Sequence, residues 1–176
     1  MKASWTMKSC RKNWTGCWRI KLDKLYLRKA RIGDVKSIHG ILMNCSRQDL
    51  LLPRSYSDLY SHLRDYFVVC DDPGNNIMGC CALSIVWDNL AEIRSLAIVS
   101  SIRHMGWGGR LVEACLSEAL TLGIYRVFTL TYQTEFFARQ GFREISKDML
   151  PQKVWADCLN CPKFPDCDEI AMLMEM

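Results

Sequence analysis

Residues Arg103-His104-Met105-Gly106-Trp107-Gly108-Gly109-Arg110 form a basic, glycine-rich turn between two apolar runs. Glu92 to Val99 before it reads as a strand, and Leu111 to Leu122 after it as a helix. These are the parts needed to grip a phosphate. Glycine lets the main chain approach a ligand closely. Successive N–H groups then converge on one concavity, and the helix N-terminus adds partial positive charge there. Arg103 and Arg110 supply full charges. The plainer alternative is a connecting turn with a basic rim. The turn is not a P-loop, because no G-x-x-x-x-G-K-[ST] occurs. It is not a dinucleotide fingerprint either: Gly106-x-Gly108 begins one, but Leu111 stands at the third glycine position.

The 176 residues are 49% hydrophobic and 24% charged, which suits one globular domain with a proper core. The net charge of +4 hides an asymmetry. Residues 1–31 carry ten Lys/Arg against a single acid, Asp23, leaving 13 bases against 18 acids in the rest. The body is therefore net acidic, and a nucleic-acid partner is not expected of it. Residues 1–24, with Trp5, Trp14 and Trp18, read as a basic arm without apolar periodicity, expected to be disordered. An RNA or membrane-surface contact is the competing reading of that arm. No apolar h-region marks a secretory signal, and no run is long enough to span a bilayer. A cytoplasmic protein is expected. Of ten cysteines, Cys70, Cys80, Cys81 and Cys115 fall in apolar runs and should be reduced core residues.

Along the chain, Leu25–Ala30 reads as a strand, and Asp34 as the cap of a helix with apolar positions Val35, Ile38, Ile41, Leu42 and Cys45. Ser55 opens a second helix, with Asp58 three residues on. Strands are expected at Phe67–Cys70, Ile77–Trp87, Glu92–Val99, Tyr125–Thr131 and Ile170–Met174, with a short helix over Glu135–Gln140. Pattern alone gives α/β or α+β.

The turn also matches R/Q-x-x-G-x-G/A, the acetyl-CoA diphosphate loop of GNAT N-acetyltransferases. Further likeness lies in Leu50-Leu51-Leu52-Pro53-Arg54-Ser55, Ala91-Glu92-Ile93-Arg94-Ser95-Leu96-Ala97, Leu130-Thr131-Tyr132-Gln133-Thr134-Glu135-Phe136-Phe137, Gly141-Phe142 and the cysteine-bearing tail from Lys153 to Met172. From about Leu25 onward the chain resembles the acetyltransferase unit of the amino-acid acetyltransferases, the N-acetylglutamate synthases of arginine biosynthesis. It is especially similar to their short bacterial form, which lacks an amino-acid kinase domain. The resemblance implies a GNAT fold over residues 25–176: a mixed, mostly antiparallel sheet with helices on both faces. It implies acetyl-CoA as co-substrate and an amino acid, L-glutamate first, as acceptor. The competing readings are another small amine, a protein N-terminus, or an acetyl-CoA-binding regulatory module without catalysis. Such domains often pair, so a homodimer is one expected assembly.

The resemblance places the diphosphate on residues 103–110: Arg103, His104, Met105, Gly106, Trp107, Gly108, Gly109 and Arg110. It pairs the pantetheine with the backbone of Leu96, Ala97 and Ile98, and turns a main-chain N–H of Leu96 or Ala97 toward the carbonyl oxygen. Glu92 is the candidate general base; its plainer role is a solvated or salt-bridged strand residue. Many members of the superfamily have a tyrosine four residues before Gly141-Phe142. Phe137 stands there and has no proton to give, so Thr131 and Tyr132 are the substitute acids. An acidic acceptor needs cations, and arginine binds carboxylates bidentately. Arg54 is the first candidate. Arg94 is the second, on the same strand face as Glu92 and able to pair with it instead. Cys158-x-x-Cys161-x5-Cys167 offers three corners of a zinc site, with Asp168, Cys10 or Cys17 as a fourth. Reduced structural cysteines are the expected reading, so no metal is assigned.

Overall fold

The computed structural model describes residues 25–71, 76–150 and 167–176. The expected arm at 1–24, and Cys158 and Cys161 of the tail, lie outside these residues. The elements are β1 (Tyr26–Lys29), α1 (Val35–Ser46), α2 (Tyr56–Ser61), β2 (Tyr66–Cys70), β3 (Ile77–Trp87), β4 (Leu90–Ile98), α3 (Trp107–Thr121), β5 (Arg126–Thr131), α4 (Thr134–Arg139), β6 (Arg143–Glu144) and β7 (Ile170–Glu175). The strands form one sheet in the order β1-β2-β3-β4-β5-β7-β6. Every neighbouring pair is antiparallel except β4 and β5. That exception follows from α3, because parallel neighbours need a crossover between them.

Helices cover both faces. On one, Val35, Ile38, Leu42 and Cys45 of α1 and Leu59 of α2 pack on Tyr66, Val68, Cys80 and Ala82. On the other, Leu111, Val112, Cys115 and Ala119 of α3 pack on Val69, Cys81, Ile93 and Val127, joined by Phe137 and Phe142. Sandwiching explains why β3 is buried from Ile77 through Leu83 rather than alternating, and why Ile85 and Trp87 at its far end are exposed. Cys70, Cys80, Cys81 and Cys115 are buried free thiols, as the apolar runs implied. Among the described residues no helix is long and apolar enough to cross a membrane.

Two local expectations need correction. The α3 helix begins at Trp107, four residues ahead of the apolar repeat. Gly106, at φ 83°, turns the chain into the helix axis, so Trp107–Arg110 form its first turn. Asp34 stands at the N-cap of α1 but does not cap it. Its carboxylate turns back to accept Nη1 and Nη2 of Arg28 at 2.6 and 3.0 Å and the Arg31 N–H at 2.7 Å. Burial opposes the charge on Asp34, yet these donors prevail and hold its carboxyl below the usual range. Ser55 does cap α2, accepting the Asp58 N–H at 3.1 Å.

Candidate active site

The parallel pairing of β4 with β5 spans only Ala91↔Val127 and Glu92↔Phe128. Beyond it β4 runs on to Ile98 and β5 to Thr131, with no further pairing between them. A bulge in β4 accompanies the parting. Cys80 pairs with Ala97 and Ala82 with Arg94, so Ser95 and Leu96 together oppose Cys81. Ser95 sits at φ 56°. Such a bulge bends and twists its strand, carrying the end of β4 away from β5. Val99 N–H bonds the Met78 carbonyl of β3 at 2.9 Å. Successive N–H groups of an extended run alternate sides, so Leu96 and Ile98 turn theirs toward the opening.

A cavity of about 730 Å³ occupies this opening, a size suited to a small-molecule ligand. At one end lies the turn that precedes α3. Arg103 Nε donates to the Ile98 carbonyl at 3.2 Å, tying the turn to the end of β4. His104 and Gly106 take left-handed conformations, at φ 63° and 83°. No side chain caps α3, so its first N–H groups are not taken up by a capping residue. A Cβ on Gly108 would lie 3.3 Å from the Phe136 ring, and one on Gly109 3.2 Å from Gln140 Oε1. These two glycines let α4 pack directly on the helix start. Arg103, His104, Gly106, Gly108 and Gly109 line the cavity; Met105, Trp107 and Arg110 do not. Arg110 is exposed and lies over the Trp107 ring, 4.6 Å from its centre.

The other predicted site residues line the same cavity. Arg54, Glu92, Arg94, Leu96, Ala97, Ile98, Thr131 and Tyr132 all line the cavity. Thr131 is buried, and its Oγ1 accepts the Gln133 N–H at 2.9 Å. The Tyr132 hydroxyl donates to Asp168 Oδ1. Phe137 is 3% exposed and packs edge-on against Phe136 and Phe142, so an aromatic cluster takes the place of an acid there. Glu169, Cys167, Arg139 and Gln140 also line the cavity. Sequence reasoning did not place them in this site, and named Cys167 only as a zinc-ligand candidate. Thr131 pairs with Ile170, which brings the residues before β7 to the end of β5; no short-range signal announces that. Cys167 Sγ lies 3.8 Å from Glu169 Oε2, while the other two cysteines of the zinc candidate fall outside the described residues. Among the described residues no three His, Cys, Asp or Glu side chains gather as a metal site. Four cavity arginines (Arg54, Arg94, Arg103 and Arg139) against Glu92 and Glu169 favour an anionic ligand.

Comparison with known proteins agrees with this geometry. Residues 35–142 match the family model of the Acetyltransferase (GNAT) family. An uncharacterized N-acetyltransferase of Chlorobaculum tepidum is 42% identical over 147 residues, covering 84% of this chain and 94% of that protein. The amino-acid acetyltransferase of Mycobacterium tuberculosis is 37% identical over 120 residues, 68% of each chain. The structure of N-acetylglutamate synthase from Neisseria gonorrhoeae, complexed with coenzyme A and N-acetyl-glutamate, superposes with a TM-score of 0.77 at 28% identity. That alignment covers 86% of this chain and 35% of the synthase, so the chain spans about a third of that longer protein. With the family model matching more than half of its length, this chain belongs to the GNAT family and is an acetyltransferase.

Proposed function

We propose that the protein transfers the acetyl group of acetyl-CoA to the α-amine of a small acidic amino acid, with L-glutamate as the preferred acceptor. One observation carries this reading: a carboxylate, Glu92, and two arginines, Arg54 and Arg94, line the cavity that opens where β4 and β5 part. The uncapped start of α3, with Arg103 and the glycines, suits the diphosphate. The free side of β4 suits a pantetheine laid along it as an added strand, meeting the N–H group of Ile98. The names of two relatives, amino-acid acetyltransferase and N-acetylglutamate synthase, support an amino-acid acceptor. On this reading the reaction belongs to arginine biosynthesis.

The roles follow from what transfer requires. The acceptor ammonium gives a proton to Glu92, directly or through a water, and the amine attacks the thioester carbon. The Leu96 N–H receives the negative charge that develops on the thioester oxygen. The thiolate leaves readily, since its ordinary pKa is about 8.5, and Thr131 relays to it the second proton that the attacking nitrogen loses as the amide forms. Thr131 is better placed than Tyr132, because its oxygen accepts from Gln133 and its own proton remains to be donated. The Tyr132 proton is directed at Asp168. Arg54 and Arg94 hold the acceptor carboxylates.

Thiol release from acetyl-CoA, measured with L-glutamate beside other amino acids, small amines and a short peptide, tests this reading. Glutamate should give the highest kcat/KM. Preference for a peptide or a neutral amine would end the acidic-acceptor proposal.

A further inference from the structure

Bulges with a left-handed residue usually place glycine there. In β4 that residue is Ser95, and a serine stays in such a conformation when its surroundings over-determine it. Three buried donors meet this turn. The Tyr66 hydroxyl, from β2, donates to Ser95 Oγ at 3.3 Å. The Cys80 thiol donates to the Ser95 carbonyl at 3.6 Å, and the Cys81 thiol to the Arg94 carbonyl at 3.9 Å. Cys115 of α3 donates in turn to Cys81 Sγ at 3.6 Å. A chain of thiols thus runs from the helix at the glycine-rich turn to the bulge.

Tyr66, Cys80, Cys81 and Cys115 are all 1% exposed or less, and none lines the cavity. Burial pushes the Tyr66 phenol up to about 12. It likewise raises the Cys80 thiol, and the bond from Cys115 together with burial raises Cys81. Tyr66, Cys80 and Cys81 therefore keep their protons at neutral pH and remain donors. The tandem Cys80-Cys81, which sequence alone read as core filler, has a second use: neighbouring strand residues face opposite ways, so the pair reaches two successive bulge carbonyls.

We propose that Tyr66 is a positioning residue for acetyl transfer that acts through Ser95. Its hydroxyl holds the left-handed turn that aims the Leu96 N–H at the thioester oxygen, while Cys80 and Cys81 steady the two carbonyls beside it. This rests on the oxygen-facing role given to Leu96 above. A residue that only fills the core predicts something different from a residue that holds a backbone turn, because glycine adopts that turn unaided.

A double-mutant cycle separates the two. Tyr66→Phe should lower kcat about tenfold, with KM for acetyl-CoA within about twofold. In a Ser95→Gly background the same change should cost less than about threefold. Hydrogen exchange of the peptide spanning residues 92–99 should quicken in Tyr66→Phe and return toward the wild-type rate in Tyr66→Phe/Ser95→Gly. Equal losses of kcat in both backgrounds, or exchange unaltered by Tyr66→Phe, would overturn the proposal. The kinetic arm uses whichever acceptor the wild type turns over fastest, and the exchange arm needs no turnover. Failure of glutamate as acceptor is thus distinct from failure of the clamp.

Discussion

Arg54, on the cavity wall, holds its Nη1 atom 3.8 Å from Oδ2 of Asp58, four residues on. The separation is that of an ion pair rather than a hydrogen bond. The two side chains are only 15% and 28% exposed, so the attraction is less screened than at an open surface. Asp58 thereby orients the guanidinium that we assign to an acceptor carboxylate. Asp58→Asn should raise the acceptor KM about three- to fivefold and leave kcat within about twofold. Arg54→Lys should raise it about tenfold or more, because an ammonium cannot reproduce the planar fork. Initial rates across acceptor concentration check both; a loss confined to kcat would remove Arg54 from acceptor binding.

Glu92→Gln should lower kcat by about 10²-fold or more while the Kd for coenzyme A stays within about twofold. Glu92 lies at the last parallel pair, before the β4 backbone that we assign to the cofactor. Thiol release and calorimetric titration with coenzyme A report the two quantities separately. Retention of full turnover would dismiss Glu92 as the base.

The two hydroxyls at the end of β5 make opposite predictions. Thr131→Val should cost about tenfold or more in kcat, whereas Tyr132→Phe should cost less than about fivefold, since its hydroxyl is committed to Asp168. Comparison of kcat for the two variants on one acceptor decides between them. A larger loss in Tyr132→Phe would reverse the assignment.

Gly106 and Gly33 both have open space where a Cβ would stand, but only Gly106 has positive φ. Gly106→Ala should therefore destabilise the fold by about 1–2 kcal/mol through backbone strain alone. It should also weaken coenzyme A binding as the turn relaxes. Gly33→Ala should not lower stability. Denaturant midpoints and coenzyme A titrations of the two variants make the comparison.

The Arg28–Asp34 pair should stabilise the fold in a pH-dependent way. The folded carboxyl is held below its ordinary value, so the unfolded chain binds the proton more tightly. The stabilisation is complete above the unfolded pKa of about 3.9 and is lost as pH falls through the lower folded value. Asp34→Asn should cost about 2–3 kcal/mol at pH 7, because it leaves a largely shielded Arg28 without its charged partner. The gap from wild type should narrow below about pH 4. Urea melts at pH 7 and pH 3.5 test both the size and the sign.

The linear chain carried much of this fold. The bounds of β3, the cap at Ser55 and the glycine-rich turn ahead of α3 are legible because periodicity, capping and turn chemistry act between residues a few positions apart. Residue types also announced Arg54, Glu92, Arg94 and Thr131, and all four line one cavity. Only the tertiary structure decided that Asp34 turns to Arg28 instead of capping α1, that Ser95 slips the register of β4, and that Glu169 reaches the cavity. Each depends on a partner brought near by folding: a guanidinium from β1, a buried phenol and thiols from β2 and β3, or the pairing of β7 with β5. Register and burial are properties of the assembled sheet, and no local propensity encodes them.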